Sequence, residues 1–245
     1  MPRNQHLPWS VLMNHPLVVV AVASLIGTAP LAGAADLCRA PYNPTINRAD
    51  FLDAKGKPIK IDNRYFPLQP GTTFTYQGTN NEREVLQVTT RTKTILGVTT
   101  TVVTDEATVN GQLAEQTSDW FAQDKNGNVW YFGEDTMEFP GGSTAGSWEA
   151  GKNGAKPGII MEASPRVGDA YRQEFAQGVA EDVAEVRSLD SDVSVPYGAF
   201  GDALNTRDGS CIEAGLENKY YAPGVGSVLE IGKGKERLEL VSVTH

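Results

Sequence analysis

The stretch WFAQDKNGNVWYFGEDT (Trp120–Thr136) decides the fold class, because a recognisable turn separates two aromatic-rich runs. The segment DKNG (124–127) has Asp first and Gly fourth, which is typical of a type I turn closed by a glycine bulge. In that register Phe121 lies opposite Tyr131, and Trp120 lies opposite Phe132. A two-residue turn at Asn126-Gly127 would shift the pairing by one residue. Both versions bring large rings together across antiparallel strands, so the stretch predicts a β-hairpin.

Alternating runs continue on both sides of this hairpin. EVLQVTT (84–90) and GVTTTVVT (97–104) are rich in Val and Thr, which suit a pleated, half-buried surface. No long stretch has helical periodicity. The predicted strands are 72–78, 84–90, 97–104, 112–122, 128–132, 171–176, 179–187, 200–206, 216–221, 225–231 and 237–243. Many short, sequentially connected strands predict an all-β domain over residues 65–245. Its expected fold is an antiparallel lipocalin-like or half-open barrel, a strongly curved sheet of about eleven strands.

One segment interrupts this rhythm. Phe139–Ile159 is rich in glycine, contains Pro140 and Pro157, and does not alternate. Loops of this length inside compact domains often serve as lids or binding loops, although a plain surface insertion fits the pattern as well. Trp148 favours a binding loop, because a large apolar ring needs a packing partner. The predicted ligand-binding residues at the barrel mouth are Trp130, Trp148, Glu134, Asp135 and Glu149.

The N-terminus has the composition of a secretory signal peptide. Arg3 is the only charged side chain before Asp36, an apolar run (LVVVAVASLI, 17–26) follows, and small residues lead to Ala34. Cleavage is expected after Ala34, with Ala35 as the alternative, so that residues 1–34 are the signal peptide and 35–64 an N-terminal arm. The protein is therefore expected to be secreted or periplasmic, without a stable membrane anchor.

Charge and histidine content exclude several classes of function. Without Arg3 the chain keeps 20 basic side chains against 30 acidic ones. Such a surface repels nucleic acid and anionic membranes. His6 and His15 leave with the signal peptide and His245 is terminal, which argues against a Ser-His-Asp relay and an imidazole metal site. We expect no cofactor.

Two cysteines, Cys38 and Cys211, complete the inventory of reactive groups. In an oxidising compartment this low, even count indicates one disulfide. A reactive thiol is the alternative, but neither cysteine has a neighbouring histidine that could lower its pKa.

A second hairpin is predicted in YRQEFAQGVAEDVAEVR (171–187). A two-residue turn at Gln177-Gly178 would place Glu174 opposite Glu181, with Glu185 on the same face. Opposed like charges are unfavourable unless a cation, an arginine or a proton intervenes. The simplest interpretation is that arginines lie between these glutamates on a solvent-exposed face and offset their charge. The functional alternatives are a catalytic pair, Glu174 and Glu181, as a glycosidase needs, or an oxygen-ligand cation site of Glu174, Glu181 and Glu185.

Several blocks resemble a family of exported bacterial β-rich proteins of unknown activity. They include YFPLQPGTTFTY (65–76), DKNGNVWYFGEDT (124–136), GSWEAG (146–151) and YYAPGVG (220–226). The last block is also similar to the closing segment of periplasmic barrel-like proteins. The resemblance implies a curved antiparallel sheet and, by analogy, handling of an apolar ligand, but it supplies no catalytic residue.

Together these observations favour an exported, non-catalytic protein that binds a small, apolar or envelope-derived ligand. A carboxylate-dependent glycan hydrolase and a calcium-type cation-binding protein are the alternatives. A structural protein without a pocket is a third class.

Overall fold

The computed structural model describes residues 32–245, with side chains from Asp36 onward. The predicted signal peptide lies outside the described residues, apart from the start of a short helix, α1 (Ala32–Arg39). In this described part of the chain, no helix is both long and apolar enough to span a membrane.

The described chain is built almost entirely of β-strands, with two short 3₁₀ helices at Arg48–Phe51 and Thr79–Asn81. The strands are β1 Asp62–Asn63, β2 Phe66–Pro67, β3 Thr73–Gly78, β4 Glu82–Ile95, β5 Val98–Val109, β6 Gln112–Gln123, β7 Val129–Glu138, β8 Trp148–Glu149, β9 Lys156–Met161, β10 Ala170–Arg172, β11 Glu174–Phe175, β12 Asp182–Val195, β13 Gly198–Ser210, β14 Leu216–Ala222, β15 Gly226–Ile231 and β16 Arg237–Thr244.

One antiparallel sheet contains all of these strands except β1 and β2, which pair with each other. Its order is β10-β12-β13-β14-β15-β16-β3-β4-β5-β6-β7-β9-β11, with β8 added to β7. The predicted all-β barrel is confirmed. It has more strands than predicted because several, such as β8 and β11, are two residues long and too short to show alternation.

The sheet is nearly closed, and its two edges meet at a seam. The edge strands β10 and β11 are consecutive in the chain, and Gln173 alone connects them. The backbone of Gln173 passes so close to Gly158 on β9 that a Cβ at Gly158 would lie 2.3 Å from the Gln173 carbonyl carbon. Glycine is therefore required where the last strands cross.

The β6–β7 hairpin has the predicted turn. The Gly127 N–H donates to the Asp124 carbonyl, Asp124 pairs with Asn128, and Gly127 has a positive φ of 94°. Phe121 lies opposite Tyr131, as expected. The predicted pairing of Trp120 with Phe132 is not part of the ladder, because a bulge shifts the register between Asp119 and Phe121.

The second predicted hairpin is wrong in register. Glu174 of β11 pairs with Pro157 of the neighbouring strand β9, while Ala176 bridges to Ala180 around a three-residue turn. Glu174 and Glu181 are therefore not cross-strand partners. Local alternation suggested a simple hairpin, but the chain leaves one sheet edge and joins the other within two residues.

The N-terminal arm runs along the seam as a strap. The Arg172 guanidinium of β10 donates to the Leu37 carbonyl at 2.8 Å, and the Tyr42 hydroxyl donates to the Pro157 carbonyl of β9 at 2.8 Å. The predicted disulfide between Cys38 and Cys211 is present and ties the start of this strap to the loop after β13. The arm thus covers the part of the barrel where no hydrogen-bond ladder closes the sheet.

The arm then covers one end of the barrel, which we call the closed end. This end carries the β4–β5, β6–β7 and β14–β15 turns. Asn63 donates to the Gly127 carbonyl at 2.9 Å, and the Gly224 N–H donates to the Arg64 carbonyl at 2.7 Å. Phe132 is fully buried there and packs edge-on against Phe51 of the arm. The opposite end, which carries the β13–β14 and β15–β16 loops, is called the carboxylate end.

The glycine-rich segment 139–159 is ordered rather than structureless. It contains β8 and the start of β9, and the backbone of Trp148 lies close to Gly133 on β7. Trp148 is buried, with its ring edge-on to Tyr131 at 5.4 Å. The expectation that this ring needs a packing partner is confirmed.

Candidate functional site: a barrel cavity with an aromatic and a carboxylate wall

A cavity of about 160 Å³ lies inside the barrel. Its lining comes from strands around the whole sheet and from β2, which follows the arm. Apolar and aromatic side chains form most of the wall toward the closed end, and Tyr76 extends it to the level of Glu84, its ladder partner. This set is Phe66, Leu68, Tyr76, Leu86, Val103, Phe121, Tyr131, Ile160 and Tyr221. Acidic side chains form the other wall: Glu84, Asp119, Glu134, Glu174, Asp182, Glu213, Glu217 and Glu230.

The aromatic wall is a set of rings in direct contact. Phe66 reaches in from the arm side and meets Phe121 edge-on at 5.4 Å, while Phe121 stacks on Tyr131 with ring centroids 4.8 Å apart. Tyr221 lies 6.4 Å from Phe66 on the other side. The predicted hairpin pair therefore supplies part of the wall of the cavity, and Phe66 of β2 supplies another part.

The carboxylate wall follows from strand alternation. Residues two apart on a strand share a face, and the same strands that present rings near the closed end present carboxyls beyond them. Phe121 is followed toward the carboxylate end by Asp119 on β6, and Leu86 by Glu84 on β4. On β14, Tyr221 is followed by Lys219 and then Glu217. The polarity of the interior thus changes along the barrel axis.

Asp119 and Glu174 are each held by an aromatic donor. The Tyr131 hydroxyl donates to Asp119 Oδ1 at 2.6 Å, and the Trp148 indole N–H donates to Glu174 Oε2 at 3.1 Å. Burial raises the pKa of Asp119 to about 7, against the lowering effect of this hydrogen bond. Burial, reinforced by Asp182 and Glu134, raises the pKa of Glu174 well above its ordinary value. Carboxyls this poorly solvated favour a proton or a cationic partner.

Glu84 and Asp105 form a second acidic pair on adjacent strands. Burial, with a contribution from Glu230, raises the pKa of Glu84 to about 8. Burial, with the neighbouring Glu84 as the next cause, raises the pKa of Asp105 well above its ordinary value. Two adjacent carboxyls in a poorly solvated site cannot both ionise without compensation.

Lys219 is the single basic side chain among the described residues that line the cavity. Its ammonium lies 3.1 Å from Glu217 Oε1 and 3.6 Å from Glu230 Oε2. Burial by itself would lower the pKa of Lys219, but Glu217, Glu230 and Asp208 together hold it well above its ordinary value. This lysine therefore compensates Glu217 and Glu230 and acts on Glu84 only as the smallest of its charge interactions, whereas no basic group in the cavity lining offsets Asp105 or Asp119.

Four of the five predicted ligand-binding residues come together, but at a different place from the cavity. Glu134, Asp135, Trp148 and Glu149 line an open groove of about 430 Å³ on the barrel wall. Glu149 is held there between Lys93 and Lys152, each at 2.8 Å. Of these four, Glu134 also lines the cavity.

Trp130, the fifth predicted residue, does not join them. Its indole N–H donates to Asp124 Oδ2 at 2.9 Å, and its ring lies near Phe51 of the arm. The same Asp124 carboxylate accepts from Asn126 and Asn128 within the turn. Trp130 thus stabilises the closed end and does not line the cavity.

The predicted acidic set of the second hairpin is dispersed. Glu174 faces the cavity, Glu181 accepts from the Gly178 N–H and lies 3.8 Å from the Arg172 guanidinium, and Glu185 pairs with Arg187 at 2.6 Å. Within residues 36–245, no cluster of three or more His, Cys, Asp or Glu side chains is arranged to hold a metal ion.

Sequence reasoning missed most of the acidic wall. It expected core faces to be apolar, so the inward Glu84, Asp105, Asp119 and Asp182 were not singled out. A signal was present in β6: continuing the inward face of Phe121 by steps of two reaches Asp119, then Thr117 and Glu115, all of which are buried. Extending the period of two beyond the apolar residues would have found them.

Comparison with known proteins gives little further guidance. No family model matches the chain, and no curated protein matches it. Among solved structures, it is similar to a "putative lipoprotein" from Parabacteroides distasonis with 12% sequence identity and a TM-score of 0.40, over 74% of this chain and 99% of that chain. Function must therefore be argued from the site itself.

Proposed function

We propose that this chain is an exported binding protein that holds a small organic molecule inside its barrel. The observation that carries the proposal is the cavity of about 160 Å³ with a ring-lined wall. That volume resembles the roughly 150 Å³ apolar cavity known to accept benzene. Concave sites with an apolar lining and a few converging polar groups are the usual form of small-molecule sites.

Access to the cavity supports binding from solvent. Val179 and Ile212 line the cavity and are also 41% and 43% exposed, so they form a mouth between the β11–β12 turn and the β13–β14 loop. Exposed apolar side chains at the entrance of a cavity favour entry of a ligand with an apolar part. Cys211 anchors the second of these loops through the disulfide.

Export and the remaining partner assignments belong to the same proposal. The apolar N-terminal run and the disulfide support an oxidising, extracytoplasmic location. The acidic composition supports a role without nucleic acid or a stable membrane anchor. The resemblance of the DKNGNVWYFGEDT and YYAPGVG blocks to exported β-rich proteins agrees with this role. We propose binding rather than catalysis, because the predicted pair Glu174 and Glu181 is held by separate partners.

Native mass spectrometry of the protein purified from its own host tests whether a molecule is retained. A matched pair of variants tests where it binds. Leu86 points into the cavity, whereas its neighbour Val85 points away from it. We expect Leu86→Trp to fill the cavity and abolish binding, and Val85→Trp to leave binding unchanged.

The titration probes are choline and its uncharged isostere 3,3-dimethylbutan-1-ol, which have nearly the same shape and size. Isothermal titration calorimetry should detect binding of at least one of them to the unmodified protein. Binding of neither probe, or binding that survives Leu86→Trp, would refute the proposed cavity site.

A further inference from the structure

The cavity holds far more acidic than basic groups. Eight carboxyls line it against the one ammonium of Lys219, and that ammonium lies beside Glu217 and Glu230. Asp119, Glu134 and Glu174 face the cavity from β6, β7 and β11. Of the eight, Glu84, Asp119 and Glu174 are buried, whereas Glu213 is exposed. Buried acidic groups are costly unless protons or cations compensate them.

One buried oxygen on this wall has no hydrogen-bond partner. Asp105 is 4% exposed, and although its carboxyl contacts that of Glu84, its Oδ1 accepts no hydrogen bond from the described residues. Asp105 lies directly opposite Leu86 and two residues after Val103, both of which line the cavity, so its side chain points to the same interior. Buried acceptors are nearly always paired in native proteins, so an unpaired one directed at a cavity indicates a missing donor.

Aromatic rings complete the lining around these carboxyls, and Tyr76 lies directly beside Glu84 as its ladder partner. Phe66, Tyr76 and Phe121 face the same space as Glu84 and Asp119. Ring faces carry partial negative charge and attract cations, and their combination with carboxylates is the known form of ammonium recognition. A compact ammonium group with alkyl substituents matches both walls and the cavity volume.

We propose that the cavity ligand is a small organic cation, an amine or quaternary ammonium compound whose charged group lies among Glu84, Asp105 and Asp119 and whose alkyl groups contact the aromatic wall. This inference rests on the proposed function and specifies its ligand class. The ammonium supplies the positive charge that Asp105 and Asp119 lack, and its substituents replace water against the rings.

Proton occupancy would compete with such a ligand. The groups that face Glu84 from the packed strands are Tyr76 on β3, Glu82 on β4, Asp105 on β5, Lys219 on β14 and Glu230 on β15. Because burial raises the pKa of Glu84 to about 8, a cation must displace protons from this wall at neutral pH. The affinity for a ligand of fixed charge should therefore increase as the pH rises from 6 to 8.

The test compares choline with 3,3-dimethylbutan-1-ol by isothermal titration calorimetry at constant ionic strength. We expect choline to bind at least about tenfold more tightly, as a charge-assisted contact requires. Its affinity should increase with pH, while that of the neutral isostere should not. Equal affinities would overturn the cation assignment and leave the proposed cavity site standing, whereas absence of binding by both probes would overturn both.

Variants separate the acidic wall from the general charge of the protein. Glu84→Gln keeps the shape of the side chain and should weaken choline binding about tenfold while leaving the neutral isostere unaffected. Glu106→Gln, on the outer face of β5 and exposed, is the matched control and should change neither affinity. Asp119→Asn provides a second test if Glu84→Gln folds poorly. Equal loss of choline binding in Glu106→Gln would overturn the site.

Discussion

The closed end and the carboxylate end of this barrel are built from the same strands but bury different groups. At the closed end, Phe132 is fully buried and packs against Phe51 of the arm. At the carboxylate end, inward positions of the neighbouring strands β4, β5 and β6 carry Glu84, Asp105 and Asp119. One end is stabilised by burial of apolar surface, whereas the other buries groups that oppose folding when they are charged. The difference indicates that apolar burial at the closed end offsets the cost of the buried carboxyls at the other end.

The disulfide lies at the carboxylate end, and its removal should give the largest loss of stability. The Cys38–Cys211 bond joins residues 173 apart. In the chain-entropy model a loop of that length contributes about 5 kcal/mol. We expect the free energy of unfolding of the double variant Cys38→Ser/Cys211→Ser, measured by urea titration, to be lower by most of this amount. A loss below about 1 kcal/mol would show that the carboxylate end does not depend on the bond.

Truncation of the core at the closed end should cause the next largest loss of stability. Phe132→Ala removes a fully buried ring that contacts Phe51, so we expect a destabilisation of about 4 kcal/mol by urea unfolding. Leu113→Ala, at an exposed position on β6, is the control and should change stability by less than about 0.5 kcal/mol. Equal effects of the two variants would contradict the assignment of the apolar core.

The pH dependence of stability should come from the carboxylate end. Folding raises the pKa of Glu84 from 4.5 to about 8 and that of Asp119 from 3.8 to about 7. The folded protein then binds more protons than the unfolded chain between about pH 4 and 8, so stability is greatest below this window and falls as the pH rises through it. Because neighbouring groups share protons, we expect a total loss of about 3 kcal/mol between pH 5 and pH 8.

Thermal and urea unfolding of the ligand-free protein measure this change. Stability that increases from pH 5 to pH 8 would show that the interior carboxyls are charged and compensated in the folded state. Phe132→Ala should lower the whole pH profile without changing its slope, because its site contains no titrating group.

Neutralising a single interior carboxyl should change stability the least, and it should increase stability rather than decrease it. Glu84→Gln removes a group that must be protonated or compensated, so we expect stability at pH 8 to increase by about 1 kcal/mol and the pH slope to decrease. Glu106→Gln, which is exposed, should leave both unchanged. A destabilised Glu84→Gln at pH 8 would indicate that the Glu84 carboxylate is favourably paired.

The sequence predicted the regions whose contacts are local. The turn at Asp124–Gly127 determined the pairing of Phe121 with Tyr131, because hairpin register depends on a few adjacent residues. The pairing of Glu174 with Pro157 could not be predicted in this way, since it depends on where the two sheet edges meet. The carboxylate wall was missed for a different reason: an inward carboxyl and an outward one look identical when polar residues are expected to face solvent.

The strap along the seam has a further consequence. Strands β10 and β11 end the sheet, and unpaired strand edges can template pairing with another molecule. The Leu37 carbonyl accepts a hydrogen bond from β10, and the Tyr42 hydroxyl donates one to β9, on either side of this gap. The disulfide holds the same segment in place. We therefore expect the arm to hinder edge-to-edge polymerisation and reduction of the bond to weaken this protection.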